Sequence, residues 1–229
     1  MTRGILIVGN ESTLLAAATN EAAERVESFA TAVIPNRFLQ PAGASLQKQE
    51  LHEKTALLKW NPSSPISARS LVLAAENQLK QIDNAVLICS PPALYKAAEI
   101  LTPEEIEILV NDHVKGWFFL VRELLLYFRR LALGSLSLVA PEGGTSKNTL
   151  GMHASIDILG PSALTSFRSF ANGVLSSVAA ADPFSVMGFT GFEAGTEKEF
   201  ASWFFKMIDE GDKKNSGRWF KYPKFGFFR

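Results

Sequence analysis

The stretch Pro141–Asp157 gathers Glu142, Thr145, Ser146, Lys147, His153, Ser155 and Asp157. These side chains exchange protons or supply hydrogen bonds near neutral pH. His113 adds a second imidazole, whose intrinsic pKa lies close to physiological pH. A general acid/base pair drawn from His113, Lys147 and His153 would move a proton to or from a substrate hydroxyl or carbonyl. The competing expectation is a solvated polar loop beside a histidine on a helix surface, since loop residues carry catalysis less often than they simply face water.

Two further residues point to a nucleotide. Arg37 follows an apolar run, and in dinucleotide-binding folds an arginine at that place holds the 2′-phosphate of NADP. Gly9 closes the first apolar run, where such folds begin a glycine-rich turn. The turn is poor in glycine, however: Asn10, Glu11, Ser12, Thr13, Leu14 and Leu15 follow. Side chains there would collide with a pyrophosphate lying close to the backbone, unless the turn opens outward. Metal is not expected, because His52, His113 and His153 have no ligand spacing and Cys89 is the one cysteine. Cys89 ends an apolar run and reads as an inert small hydrophobe.

The elements that must position these residues alternate along the chain. Gly4–Val8 reads as a strand and Ser12–Glu27 as an amphipathic helix. Phe29–Ile34 and Thr55–Trp60 read as strands, and Ile66–Ile82 as a helix. Asn84–Cys89 is apolar throughout, as a strand buried on both faces must be. Pro103–Leu133 reads as one long helix, with Thr102 as N-cap, Pro103 at its first position and Glu105 at the box position. Strands at Gly134–Ala140 and Phe184–Phe189 flank a helix near Ala163–Ala181. A helix at Thr196–Glu210, opening with capping-box spacing, and a short strand at Gly217–Tyr222 complete the series. This alternation predicts an α/β fold: a doubly wound parallel sheet, Rossmann-like, of about seven strands with helices on both faces. Residues 1–229 are expected to form one domain, with 213–229 as a basic, aromatic C-terminal strand and arm.

Composition excludes several classes. Hydrophobic residues make up 47% and charged residues 20%, which supports a full core rather than disorder. The 23 basic and 23 acidic residues cancel, so no global field favours nucleic acid or an anionic membrane. Gly116–Phe128, the most apolar segment, is interrupted by Arg122 and Glu123 and is shorter than the roughly 20 residues a bilayer needs. Met1 leads directly into a run that reads as a core strand, so no signal peptide is expected. With a single cysteine, the expectation is a cytoplasmic protein.

Taken together, these segments resemble the short-chain dehydrogenase/reductase family over nearly the whole chain. Asp83–Ser90 resembles the family's Asp-x-Leu-Val-Asn-Asn-Ala-Gly strand, and Val114-Lys115-Gly116 the start of its interface helix. Gly134–Val139 resembles the strand leading to the catalytic serine, and Asn215-Ser216-Gly217 the terminal Thr-Gly segment. The resemblance implies NAD(P)-linked redox chemistry, yet the residues that carry it are replaced. The turn keeps Gly9 alone, Leu87-Ile88-Cys89-Ser90 stands for Asn-Asn-Ala-Gly, and the family's helix asparagine falls at His113. Its serine falls at Pro141, and its Tyr-x3-Lys pair at Gly160 and Leu164. None of the three tyrosines, Tyr95, Tyr127 and Tyr222, has lysine four residues later. Without a phenol whose pKa is pulled down by a lysine, the family mechanism is not available.

The expectation is therefore a divergent, oxidoreductase-like protein with a degenerate active site, acting as a binding or scaffold subunit with no cofactor. The alternative is an NADP-dependent oxidoreductase with a relocated acid/base site at His113, Lys147 or His153, and with Gly9 and Arg37 contacting NADP. The 103–133 helix is apolar over most of its circumference, so a second layer must cover it. By resemblance, the 103–133 and 163–181 helices pair with their symmetry mates in a homodimer or homotetramer. The tail mixes Lys213, Lys214, Arg218, Lys221, Lys224 and Arg229 with Trp219, Phe220, Tyr222, Phe225, Phe227 and Phe228. Such a mixture can stack on single strands or lie on lipid. The preferred reading is a last strand and a packed arm, with no nucleic acid and no membrane.

Overall fold

A computed structural model of the chain describes residues 3–25, 28–38, 56–142, 157–178, 182–192, 194–211 and 213–223. Seven parallel strands form one sheet in the order β3-β2-β1-β4-β5-β6-β7. They are β1 (Gly4–Asn10), β2 (Ser28–Ile34), β3 (Ala56–Leu58), β4 (Asn84–Ile88), β5 (Ser135–Val139), β6 (Ser185–Thr190) and β7 (Arg218–Lys221). The helices are α1 (Thr13–Glu24), α2 (Pro65–Leu79), α3 (Pro103–Val110), α4 (Gly116–Leu131), α5 (Leu159–Ser177) and α6 (Glu197–Glu210).

Successive strand residues point to opposite faces, and both faces are covered. Leu6, Val8, Ala85, Leu87, Leu136 and Leu138 pack with α2, α4 and α5 on one side. Ile5, Ile7, Val86, Ile88, Met187 and Phe189 pack with α1 and α6 on the other. This is the doubly wound arrangement expected from the continuous apolar runs. Strand order reverses at the β1–β4 pair, which opens a crevice beyond the carboxyl ends of those two strands.

The long helix expected over 103–133 is interrupted. Thr102 and Glu105 form the expected capping box at its start. The turn Asn111–Lys115 is then π-helical before α4 resumes at Gly116, and the helix stops at Leu131, with Ala132 in the left-handed conformation. A π turn carries one extra residue, so it shifts which side chains face inward. Asp112 and His113 are adjacent in sequence and both are buried. Helix α5 begins earlier than expected because Asp157 Oδ1 accepts the N–H groups of Leu159 and Gly160 at 3.1 Å each. At α6 the expected box does not form; the Thr196 side chain makes no cap bond and Glu197 turns back to accept the Gly195 N–H at 2.9 Å.

The tail adds β7 alongside β6, with Trp219 and Phe220 half-buried. The arm residues Lys224, Phe225, Phe227, Phe228 and Arg229 lie outside the described residues. No described helix is long and apolar enough to cross a membrane.

Candidate functional site

The crevice at the β1–β4 switch point is built from the turn after β1, the end of β4 and the π-helical turn. Asn10, the last residue of β1, is 1% exposed. Its Oδ1 accepts the Ser90 N–H at 2.9 Å, just past β4. A backbone N–H can only donate, so this bond orients the amide and turns Nδ2 toward His113 Nδ1 at 3.0 Å. An amide NH2 can only donate in its turn, so Nδ1 accepts and the imidazole proton resides on Nε2. Asn10 thus ties β1, β4 and the helix together at the point where a dinucleotide would cross.

His113 is held neutral there. Burial disfavours its charged form and lowers its pKa to about 4, against an opposing pull from Asp112, while Arg37 adds to the lowering. Phe38 stacks on the ring at 6.1 Å between centroids. The expectation of a histidine on a helix surface is corrected: the π turn rotates it inward. Its Nδ1 lone pair is engaged by Asn10, and burial favours the neutral form of the ring.

Arg37 is directed at Asp112 rather than at open solvent. Its Nε donates to Asp112 Oδ2 at 2.7 Å and its Nη2 to Oδ1, a bidentate pair. The Asp112 side chain is 1% exposed and that of Arg37 is 43% exposed. The guanidinium that could meet a 2′-phosphate therefore neutralises a buried carboxylate of the same chain.

The place for a pyrophosphate is also filled. A Cβ on Gly9 would lie 3.1 Å from Ile88 and from Leu15 Cδ1, so the glycine makes room for the chain's own packing. Leu14 and Leu15 are buried. Ser12 caps α1 by accepting the Leu15 N–H at 3.2 Å. Glu197 accepts from Thr13 Oγ1 at 3.2 Å and Glu11 accepts the Asn36 N–H at 3.4 Å, so two carboxylates border the start of α1. A helix N-terminus attracts anions, and here the chain supplies its own. These groups do not fit a dinucleotide pyrophosphate.

On the β5–β6 side, Pro141 follows β5, and its carbonyl accepts from Arg168 Nη2. Gly160 lies in the first turn of α5, where an added Cβ would come within 2.5 Å of Asp157 Oδ2. Leu164 packs in the core. Cys89 is buried, and desolvation pushes its thiol pKa up despite the nearby Arg168 charge. Lys147 and His153, with Thr145, Ser146 and Ser155, lie outside the described residues. Among the described residues, no group of three or more His, Cys, Asp or Glu could hold a metal ion.

The structure brings His113 and Arg37 together through Asp112, with Gly9 next to Asn10. Asn10, Asp112 and Arg168 join the candidate residues only in the structure. An asparagine at the end of a buried strand was the available signal for the first, because a buried amide must find partners.

No protein-family model and no curated protein matches the sequence. Solved structures do match in shape. A short chain dehydrogenase from Bacillus anthracis superposes with a TM-score of 0.72 at 10% identity, covering 96% of this chain and 94% of that one. The actinorhodin polyketide ketoreductase with NADPH gives 0.69 at 14% identity, covering 96% and 95%. An NADH-dependent reductase complexed with NAD gives 0.67 at 13%, covering 96% and 94%. The chain therefore has the Rossmann-like fold of short-chain dehydrogenases/reductases, over nearly its whole length.

Proposed function

We propose that this protein is a non-redox relation of that fold: a binding or scaffold subunit whose dinucleotide crevice is closed by its own side chains. The observation that carries the reading is the Asn10 amide, which bridges the Ser90 N–H and His113 Nδ1 across the switch point. The two carboxylates beside α1 and the Arg37–Asp112 pair act in the same direction. The loss of Tyr-x3-Lys at Gly160 and Leu164 removes the proton donor that reductases of this fold would use.

The test is a calorimetric titration of the purified protein with NADP(H) and NAD(H). The expected result is no saturable binding at millimolar cofactor. Saturable micromolar binding would overturn the reading in favour of the second one, an NADP-dependent oxidoreductase with a relocated acid/base. That second reading draws support from the half-exposed Arg37 guanidinium and from the NADPH and NAD held by the structural neighbours.

The subunit role includes self-association through α4 and α5, as a homodimer or homotetramer. Phe118 is 46% exposed yet stacks on Phe170 at 3.9 Å, so the two helices present a joint aromatic surface. Thr165, Ser169 and Gly173 lie beside it, small enough for another helix to approach closely. Closed two-fold association is the commonest way to cover such a face.

A further inference from the structure

A second cluster lies where β5 and β6 end, apart from the dinucleotide crevice. Arg168 projects from α5, and its Nη2 donates to the Pro141 carbonyl and to Thr190 Oγ1, the latter at 2.8 Å. Both acceptors are neutral, and among the described residues Arg168 forms no ion pair. Its Nε is buried with no hydrogen-bond partner among them. A guanidinium carries five N–H donors, so much of its capacity is unspent. Among the described residues this partly buried cation has only neutral acceptors and lacks the counter-charge that usually accompanies one. Beside it lies a cavity of about 240 Å³ lined by Arg168, Asn172, Thr190 and Trp219.

The hydrogen-bond polarity of that lining is one-sided. Trp219 Nε1 donates to Asn172 Oδ1 at 2.6 Å, which fixes the amide and leaves its NH2 end as the uncommitted one. Thr190 Oγ1 accepts from Arg168, so its own proton is free to donate elsewhere. Arg168 can only donate. Glu142, next to Pro141, is engaged by Lys221 at 2.5 Å. Cys89 feels the Arg168 charge, but its burial keeps the thiol neutral, so it does not supply the missing anion.

We propose that this cavity is an oxyanion site, taking a small carboxylate or phosphate monoester on Arg168, with Asn172 and Thr190 as further donors and the Trp219 ring as a wall. Charge-assisted bonds from a guanidinium to an oxyanion are roughly twice as strong as neutral ones, and the planar fork matches either group. The site stands on the α5–β6–β7 side of the sheet and does not depend on whether the dinucleotide crevice is closed.

The experiment follows the Trp219 indole N–H resonance of the full chain, assigned with Trp219→Phe, during titration with inorganic phosphate and separately with acetate. Potassium chloride at matched ionic strength is the control. A saturable shift with phosphate, acetate or both, and none with chloride, is expected; the stronger of the two identifies the anion class. Arg168→Gln should weaken it by at least about tenfold, the equivalent of one lost charge-assisted bond. If Arg168→Gln does not fold, Asn172→Ala and Thr190→Val are expected to weaken it in the same direction. A flat titration of the parent protein, or equal affinity in all of these variants, would overturn the proposal.

Discussion

The Asn10 side chain donates to His113 Nδ1 at 3.0 Å, joining the end of the first strand to a helical turn 103 residues later. The same amide accepts the Ser90 N–H. One neutral side chain thereby bridges the end of β1, the backbone just past β4 and the π-helical turn, at the switch point where open α/β sheets bind ligands.

Asn10→Ala is expected to destabilise the protein, because the Ser90 N–H and His113 Nδ1 both lose their partner. Each unsatisfied buried group costs about 1–3 kcal/mol, so the two together predict a loss of about 2–6 kcal/mol. Urea unfolding measures it. An unchanged midpoint would mean that water replaces the amide at no cost.

The buried His113 makes stability depend on pH. Its pKa is about 4 folded, against an ordinary value of 6.5, so between those values the unfolded chain binds more protons than the folded one. Stability contributed by the neutral imidazole is present above pH 6.5 and is lost as pH falls toward 4. The full difference is on the order of 3 kcal/mol. Comparing unfolding of the parent and His113→Gln from pH 7.5 to 4.5 isolates it. The parent should lose stability more steeply, and parallel curves would remove the assignment.

The Arg37–Asp112 pair predicts an asymmetry. Arg37→Ala strands a carboxylate that is 1% exposed, at a cost of about 3 kcal/mol. Asp112→Asn leaves a guanidinium that water already reaches, at a cost of about 1 kcal/mol. Denaturant titration of both variants should give that order. Asp112→Asn also frees Arg37. Under the alternative reading it would raise affinity for NADP but not for NAD, whereas with a closed crevice calorimetry detects neither.

Phe118→Asp is expected to leave the fold intact, since the ring is half exposed, while placing a charge on the α4–α5 surface. Light scattering after gel filtration should show the parent as a dimer or tetramer and the variant as a monomer. Equal masses would place self-association elsewhere or exclude it.

Much of the fold was legible because its causes are local. A parallel strand covered on both faces must be apolar throughout, so Asn84–Ile88 announces itself in the sequence. The Thr102–Glu105 box is spelled within four residues and forms as written. Periodicity also placed the helices, but it assumes one constant pitch. The π turn at Asn111–Lys115 breaks that assumption, and with it the expectation that His113 would face solvent.

The partners that define the candidate site are a different kind of information. Asn10 meets His113 across 103 residues, Arg37 meets Asp112 across 75, and Arg168 meets Thr190 across 22. The sequence by itself determined the layered α/β architecture and the absence of any Tyr-x3-Lys pair, because each depends on residue type and short-range spacing. Only the tertiary structure decided that the crevice is bridged by Asn10, that Arg37 is engaged with Asp112 and that Arg168 meets neutral acceptors and no counter-anion among the described residues. Those outcomes depend on which distant side chains the crossovers bring within hydrogen-bond reach, and no local pattern encodes that proximity.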